Sequence, residues 1–458
     1  MQIKFLTLLL IEGYTTSVDS GIHVLHPHHH TGSFADQYKL STTTKVMALS
    51  FTKESLPKAI MAFGLDLYNK MNEGDVSKNI FLCPMSISAA LSMVLVGAWG
   101  NTKIQMEKTL HLQRTPGSVR PPFAERRLPE AMSECGGETA LLFPVEGGLN
   151  PEFKKLLSQL NHLSEGYQLN LANNLFIQKG YEFFQQYLTC AKEVYGAMLQ
   201  TVDFYNATEE ARHTINLEVD KQTQGNIKEL FAPGTIGPEV VLVLANAVYF
   251  KATWQHQFDP NKTTERDFRL SENESVPVPM MHQKGLFKLG YSEPMNMQIL
   301  CLPYTGEVFS MIIMLPNDIN GLAQVEDMLS CENLTQWMAS QNMNEDHVEM
   351  YIPRFKLEGT FDLNLTLQEL GMIDVFDESK ADLSGMSPSR QLFLSKVIHK
   401  ACVDVNEVGT VAAAATGAVV SNRSMISYEL FVANHPFLFC IRHNPTNTVL
   451  FLGKFCSP

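Results

Sequence analysis

The sequence predicts a mixed α+β fold in which helices pack on buried sheet. Within residues 55–70, apolar residues recur at helical spacing, which indicates an amphipathic helix: Leu56, Ile60, Phe63 and Leu67. Residues 241–254 are almost continuously apolar, as in a strand that is buried on both faces. Residues 397–405 alternate between the two faces of a strand, which predicts a half-buried strand. With 458 residues, 45% of them hydrophobic, and no evident linker, the chain is long enough to build a substantial core.

Composition excludes several classes of partner. A net charge of −13 argues against a nucleic acid or an anionic membrane as the main partner, because such sites need concentrated Lys and Arg. No segment is long enough to span a bilayer.

The eight cysteines are scattered without Cys-x-x-Cys spacing, which favours free thiols in a reducing compartment over a disulfide framework or a zinc site: Cys83, Cys135, Cys190, Cys301, Cys331, Cys402, Cys440 and Cys456.

We do not expect the first 46 residues to be part of the fold. An apolar run follows Lys4 but is short and ends at Glu12, so it is only weak evidence for a signal peptide. A histidine tract lies in a polar, proline-interrupted stretch, and such tracts are more often solvated than metal-binding: His26, His28, His29 and His30. We therefore predict no metal site.

Further elements follow in chain order. Residues 79–93 form a short buried strand that opens into a helix, and residues 102–110 predict another helix. From 114 to 150, recurrent Pro and Gly predict a long loop, which we expect to be solvated. Residues 172–178 begin a strand, and two later strands, 297–303 and 309–316, are joined at Thr305-Gly306.

The segment from Glu407 to Met425 carries conflicting local signals. The four alanines 412–415 favour a helix, yet Gly409 and Gly417 bracket them and β-branched valines flank them. Small, uncharged side chains leave this stretch free to pair as a strand. Downstream, Arg423-Ser424 matches the preference of trypsin-like proteases, which have an acidic specificity pocket. Taken alone, the segment is typical of a surface linker.

The setting of this segment changes its interpretation. Glu407-Val-Gly-Thr-Val-Ala-Ala-Ala-Ala-Thr416 closely resembles the hinge signature of the serpin family, and the flanking segments 394–401, 433–439 and 450–454 resemble the family's adjoining strands. The resemblance extends from about Ser55 to Pro458. It implies an α+β fold of the multi-domain type, with three β-sheets, about nine helices and an exposed reactive-centre loop.

Domain organisation follows from the same resemblance. The ovalbumin-type, or clade B, serpins start close to their first helix, so Met47 resembles the family's natural start. We therefore expect an extension over residues 1–46, disordered or foreign to the native protein. A single serpin domain follows over residues 47–458, with a long interhelical loop at about 114–150. Such serpins are cytoplasmic monomers, some with leaderless secretion.

The resemblance also assigns roles to individual residues. It places the reactive bond between Arg423 and Ser424 and the hinge at Glu407, Gly409, Thr410, Val411, Ala412, Ala413, Ala414, Ala415 and Thr416. It places the region that governs opening of the main sheet at Ser86, Asn246, His399, Trp254 and Arg354. Asn246 and His399 would hydrogen-bond across the sheet, Trp254 would pack where the loop enters, and Glu407 would pair with Arg354. Without the family, ordinary core packing and a surface ion pair would explain these residues equally well.

Two residues depart from the family pattern. Cys83 stands where the pattern has Ser, and Glu218 stands where ovalbumin-type members usually have Trp, in the segment 215–227 that matches the family's helix crossing the main sheet. The first removes a hydroxyl near the sheet-opening region, and the second could loosen the helix. The loop sequence 415–424 is most like that of an inhibitory member with an Arg-Ser bond and a long interhelical loop.

The expected function is inhibition rather than catalysis. No Gly-x-Ser-x-Gly, His-Glu-x-x-His, phosphate-loop or dinucleotide motif occurs, so neither an enzyme nor a cofactor is predicted. The resemblance implies a suicide substrate that traps a trypsin-like serine protease covalently. After insertion Thr410, Ala412, Ala414 and Thr416 would face the core, whereas Val411 would face outward. The alternative is a non-inhibitory serpin with a storage, carrier or scaffold role, like ovalbumin.

Overall fold

A five-stranded sheet and a nine-stranded sheet, with nine α-helices around them, make up the part of the chain that the computed structural model describes, which is residues 55–113, 149–161, 166–389, 391–409 and 427–458. The helices are α1 Leu56–Asn72, α2 Pro84–Val96, α3 Gly100–Thr109, α4 Leu149–Leu160, α5 Gln185–Tyr195, α6 Thr208–Gln222, α7 Leu322–Asp327, α8 Cys331–Met338 and α9 Asn364–Glu369.

The strands are β1 Ile80–Leu82, β2 Tyr167–Gln178, β3 Met198–Val202, β4 Leu242–Ala252, β5 Thr264–Arg269, β6 Ser275–Ser292, β7 Met297–Pro303, β8 Phe309–Pro316, β9 Met343–Pro353, β10 Phe355–Asp362, β11 Lys396–Val405, β12 Glu429–Val432, β13 Phe437–His443 and β14 Thr448–Phe455. The predicted α+β class, with about nine helices, is confirmed.

The five-stranded sheet has the order β10-β11-β4-β2-β3. Its central pair, β4 and β11, is parallel and in register over seven residue pairs, from Lys396 opposite Val243 to Cys402 opposite Tyr249. Both outer neighbours of this pair, β2 beside β4 and β10 beside β11, are antiparallel to it. We call the line between β4 and β11 the seam.

The nine-stranded sheet has the order β1-β14-β13-β8-β7-β6-β9-β12, with β5 on β6. Strand β6 is 18 residues long, and it pairs with β5 and β9 along most of its length and with β7 at its end. It thereby joins two groups of strands into one continuous ladder. The described strands therefore form two hydrogen-bonded sheets where the sequence predicted three.

The five-stranded sheet is covered on both faces. On one face, Leu244 and Val248 of β4 share a cluster with residues of α2, and on the other Val243 and Ala245 share a cluster with Ile215 of α6. Strand β4 is therefore buried on both faces, as its apolar sequence predicted.

Strand β11 differs from its prediction. Ile398 and Cys402, on the face opposite His399, are 5% and 4% exposed, because they pack in the cluster beneath α6. The prediction of a half-buried strand is wrong at these positions, since alternation within one strand does not show which helix covers its second face.

Two boundaries and one cysteine also differ from expectation. Helix α6 ends at Gln222, before the positive φ angles of Gln224 (54°) and Gly225 (81°), although the matched motif continued to Ile227. The predicted loop 114–150 ends earlier, since α4 begins at Leu149, and residues 114–148 lie outside the described part. Buried free thiols are confirmed at Cys83, Cys301, Cys402, Cys440 and Cys456, but Cys190 is disulfide-bonded.

Candidate functional site

A buried polar network crosses the middle of the seam. Asn246 of β4 lies directly opposite His399 of β11, and His399 Nδ1 lies 2.5 Å from Asn246 Oδ1. The amide of Asn246 donates to Asn173 Oδ1 of β2 and to Ser86 Oγ of α2, each at 2.5 Å. These four residues are at most 3% exposed, so water does not compete for their hydrogen bonds.

Hydrogen bonding fixes the protonation state of His399. Because the amide nitrogen of Asn246 donates elsewhere, its oxygen accepts the proton on His399 Nδ1. The backbone N–H of Cys83 donates to His399 Nε2 at 3.2 Å, so Nε2 carries no proton. Burial lowers the pKa of His399 to about 3 and raises the pKa of the Cys83 thiol to about 12. Both groups are therefore neutral at physiological pH.

The end of β4 holds the turn that follows β11. Trp254, which is 2% exposed, donates from Nε1 to the carbonyl of Asn406 at 2.9 Å and from its backbone N–H to the carbonyl of Val408 at 2.8 Å. Its indole stacks on Tyr304 with ring centroids 4.4 Å apart and planes 8° apart. The indole therefore lies between Tyr304 and the turn.

Glu407 anchors the same turn from another side. Its carboxylate is 9% exposed; Oε1 accepts from Thr263 Oγ1 at 2.7 Å and lies 3.5 Å from Arg354 Nη1. Its carbonyl accepts from the N–H of Phe258 at 2.8 Å. Half of the Arg354 side chain is exposed, so the ion pair adds modestly to the hydrogen bonds that hold Glu407.

Gly409 ends this turn in a conformation that excludes other residues. Its φ is +134°, and an added Cβ would lie 2.2 Å from the carbonyl oxygen of Ala252 and 2.6 Å from the amide nitrogen of Trp254. The Asn406 N–H donates to the Gly409 carbonyl at 2.8 Å, and the Gly409 N–H donates back at 3.1 Å. Position 409 is therefore fixed against the end of β4.

The rest of the predicted loop lies outside the described residues. This applies to the hinge positions Thr410, Val411, Ala412, Ala413, Ala414, Ala415 and Thr416, and to Arg423 and Ser424. Of the predicted hinge, the structure places Glu407 and Gly409, at the end of the seam. The chain is described again from Ser427 and continues as β12, which pairs in parallel with β9.

The sequence did not predict three residues that help to hold the seam and the turn after β11. Asn173 joins the network, and the only signal for it was the pair of adjacent asparagines at 173 and 174 within a predicted strand. Thr263 binds Glu407 from a surface turn whose sequence gave no signal. Lys400 donates to the carbonyl of Glu229 at 2.8 Å and pairs with Glu358 at 2.7 Å, so it ties β11 to the segment after α6.

The described ranges contain neither a metal-binding cluster nor a helix that could span a membrane. Within them, no cluster of three or more His, Cys, Asp or Glu side chains is positioned to hold a metal ion. The helices given above include none with the length and apolar character needed to cross a bilayer.

Comparison with known proteins identifies the fold. The family profile described as "Serpin (serine protease inhibitor)" matches residues 58–458. The chain belongs to the serpin family. Human Serpin B11 is 45% identical over 404 residues, which is 88% of this chain and all of Serpin B11. The human leukocyte elastase inhibitor is 41% identical over 409 residues, with the same coverage. These relatives are ovalbumin-type, clade B serpins, as the hinge resemblance predicted.

Solved serpin structures have the same architecture. Uncleaved ovalbumin matches this serpin with a TM-score of 0.76 and 34% identity, over 88% of this chain and all of that one. A loop-inserted structure of a cleaved ovalbumin mutant matches with a TM-score of 0.75 and 33% identity, again over 88% and 100%. This serpin therefore resembles ovalbumin structures described both as uncleaved and as loop-inserted.

Proposed function

We propose that this serpin is not an enzyme but a suicide inhibitor of trypsin-like serine proteases, cleaved at Arg423-Ser424 and completed by insertion of its loop into the seam. The observation that carries this proposal is the parallel pairing of β4 and β11, with the loop starting at the end of β11. Family membership and the hinge signature support the same mechanism.

The seam geometry suits an inserted strand. The turn at Asn406–Gly409 reverses the chain against the end of β4, so residues from 410 onward would run antiparallel to both seam strands. Insertion would replace one parallel ladder by two antiparallel ladders, and antiparallel pairing is slightly more stable per residue. The inserted residues would have to be small where they face the core, as Thr410, Ala412, Ala414 and Thr416 are.

The energy available from insertion is large on the scale of a domain. A strand of about ten residues forms roughly ten additional ladder hydrogen bonds, each with a net contribution of ~0.5–1.5 kcal/mol. Their sum is comparable with the ~5–15 kcal/mol stability of a typical domain. Such a release is sufficient to pull an attached protease out of its productive geometry.

The chemistry follows from the protease. Its serine oxygen attacks the carbonyl carbon of Arg423, the bond to the nitrogen of Ser424 breaks, and that nitrogen takes a proton as a new N-terminus. Arg423 remains as an ester on the protease serine. If insertion then distorts the protease, loss of one oxyanion-hole donor slows deacylation by ~10²–10³-fold. The partner is thus a trypsin-like serine protease, held covalently by a monomeric serpin.

Relatives support an inhibitory function and also define its alternative. The leukocyte elastase inhibitor, by its name, inhibits an elastase, whereas Arg423 at the reactive bond would favour proteases with an acidic specificity pocket. The likeness to uncleaved ovalbumin favours the second candidate, a non-inhibitory storage, carrier or scaffold protein.

Incubation with trypsin separates the two candidates. An inhibitor should give an adduct that survives denaturing electrophoresis, and the matched variant Arg423→Lys should retain it because a basic side chain is kept. Arg423→Ala should abolish the adduct. Clean cleavage of the native protein at 423–424, with no adduct at any enzyme ratio, would assign the non-inhibitory function instead.

We propose further that the protein works unglycosylated in the cytoplasm, with leaderless secretion as its route of export. Asn422-Arg-Ser424 is a glycosylation sequon that overlaps the reactive bond, and a glycan there would obstruct the protease. Asn364 is also in a sequon, yet its side chain donates to Ser395 O at 2.7 Å and accepts from the Val397 N–H at 2.8 Å, at the start of β11. A glycosidase-sensitive mobility shift of the full-length product from cultured cells would contradict this localisation.

A further inference from the structure

A pocket of about 460 Å³ opens between the turn that joins β6 to β7 and helix α8, and none of its lining residues lies on the seam strands. We propose that it binds a small organic cation with an apolar, aryl-sized body. The volume is within the range of ~300–1,000 Å³ that is typical of small-molecule sites. The proposal is independent of protease inhibition.

Part of the pocket lining is apolar and includes two aromatic rings. Trp337 of α8 is 6% exposed and Ile299 of β7 is 3% exposed, and together they form its buried side. At the mouth, Tyr291 and Met328 are about half exposed, at 52% and 47%. The hydroxyl of Tyr291 donates to Glu429 Oε2 at 3.2 Å, which holds the ring in place. An aryl body would therefore lie between two aromatic rings and a thioether.

The polar lining of the pocket favours a hydrogen-bond donor. The amide of Asn333 donates to Met328 O at 2.6 Å and the amide of Asn342 donates to Gln336 O at 2.8 Å, so each amide already uses one N–H on the backbone. Within the described residues, neither amide oxygen accepts a hydrogen bond. Both oxygens are therefore available to accept from a ligand.

Charge favours a cation. The exposed Glu293 is a lining residue, and the lining includes no Lys, Arg or His. An ammonium group would complement this carboxylate and the amide oxygens, and it would also be attracted to the face of Trp337 or Tyr291. An anion would be repelled by the carboxylate of Glu293. Since Asn333 begins a sequon, the pocket is open only in the unglycosylated chain.

Fluorescence provides a local measurement, because Trp337 is one of only three tryptophans and the other two, Trp99 and Trp254, lie outside the pocket. We would titrate the full-length protein with phenethylamine, which is cationic at neutral pH, with neutral 2-phenylethanol and with anionic 3-phenylpropionate. Saturable quenching by phenethylamine at millimolar or lower concentration, with much weaker effects of the other two, is expected. Trp337→Phe should remove the quenching while phenethylamine still raises the thermal midpoint.

Two matched carboxamide variants test the charge. Glu293→Gln should weaken phenethylamine binding by about two- to five-fold, the range of an exposed charge pair. Glu378→Gln, which changes an exposed carboxylate outside the pocket, should bind like the parent. No saturable binding of phenethylamine, equal binding of all three probes, or unchanged affinity in Glu293→Gln would each overturn the proposal.

Discussion

His399 donates from Nδ1 to Oδ1 of Asn246 at 2.5 Å, and this bond joins the two strands of the seam at the middle of their paired stretch. In the neutral tautomer that makes this bond, Nε2 accepts from the Cys83 N–H. A second proton, on Nε2, would have to displace that N–H in a site without water. The closed seam is therefore coupled to the protonation of one histidine.

Acidification should expose this coupling. The pKa of His399 is lowered to about 3 by burial, whereas an unfolded histidine has a pKa near 6.5, so the unfolded state binds more protons between these values. Its contribution is complete above pH ~6.5 and is lost as the pH falls towards 3, with about 2 kcal/mol lost by pH 5. Urea unfolding of His399→Gln should therefore show a shallower loss of stability between pH 7.5 and 5 than the parent.

The control for this pH series is His213→Gln, since His213 is exposed on α6. It should keep the parental pH dependence. Burial also lowers the pKa values of His435 and His443, so His399→Gln should remove only part of the acid sensitivity. Identical pH profiles of His399→Gln and the parent would show that His399 is not linked to stability.

Two adjacent asparagines should respond to substitution with opposite sign. Asn174 is fully buried, and neither atom of its amide group has a hydrogen-bond partner among the described residues. Its face of β2 carries Ala172 and Phe176, which pack beneath α6. Asn174→Leu should raise the free energy of unfolding by about 1–3 kcal/mol, because an unsatisfied amide is replaced by an apolar group of similar shape.

The matched variant Asn173→Leu should lower the stability by a similar amount, because it removes the acceptor of the Asn246 amide inside the seam network. Thermal or urea unfolding of the two variants side by side would measure both effects. Destabilisation by both substitutions would mean that the amide of Asn174 is satisfied in solution.

Insertion should be sensitive to charge at one hinge position and not at the next. Thr410→Arg would bury a cation as the loop enters the seam, at a cost of several kcal/mol. The variant should be cut by trypsin as a substrate, with little adduct on a denaturing gel. Val411→Arg, at a position expected to face outward, should still form the adduct. Equal inhibition by the parent and Thr410→Arg would exclude insertion as the mechanism.

Cleavage in the loop should raise thermal stability. Once the bond is cut, residues 409–421 are free to complete the five-stranded sheet without an attached protease. Calorimetry before and after limited nicking measures the change, and the nicked protein should unfold at a higher temperature. An unchanged midpoint would indicate that the cut loop stays outside the sheet.

Sequence patterns located the elements that carry the site but not the contacts between them. Strand β4 was predicted at 241–254 and is observed at Leu242–Ala252. A long apolar run locates a strand well, because the run ends where the chain turns. The pairing of Asn246 with His399, and that of Glu407 with Arg354, was predicted from the family resemblance. The sequence of one strand does not show which strand lies beside it. The burial of Ile398 and the role of Thr263 depend on packing between distant segments, which no local pattern records.

The fixed position of Gly409 also sets the parity of everything that follows it. Because only glycine fits against Ala252 and Trp254, the first residue of an inserting strand cannot slide along the seam. On the proposed insertion, every later residue would be assigned to one face by whether its count from 409 is odd or even. If the loop inserts, deleting or adding a single residue between Gly409 and Thr416 would move every residue after the change to the opposite face of the inserted strand. The number of residues between Gly409 and Thr416 is therefore as important for insertion as the side chains of those residues.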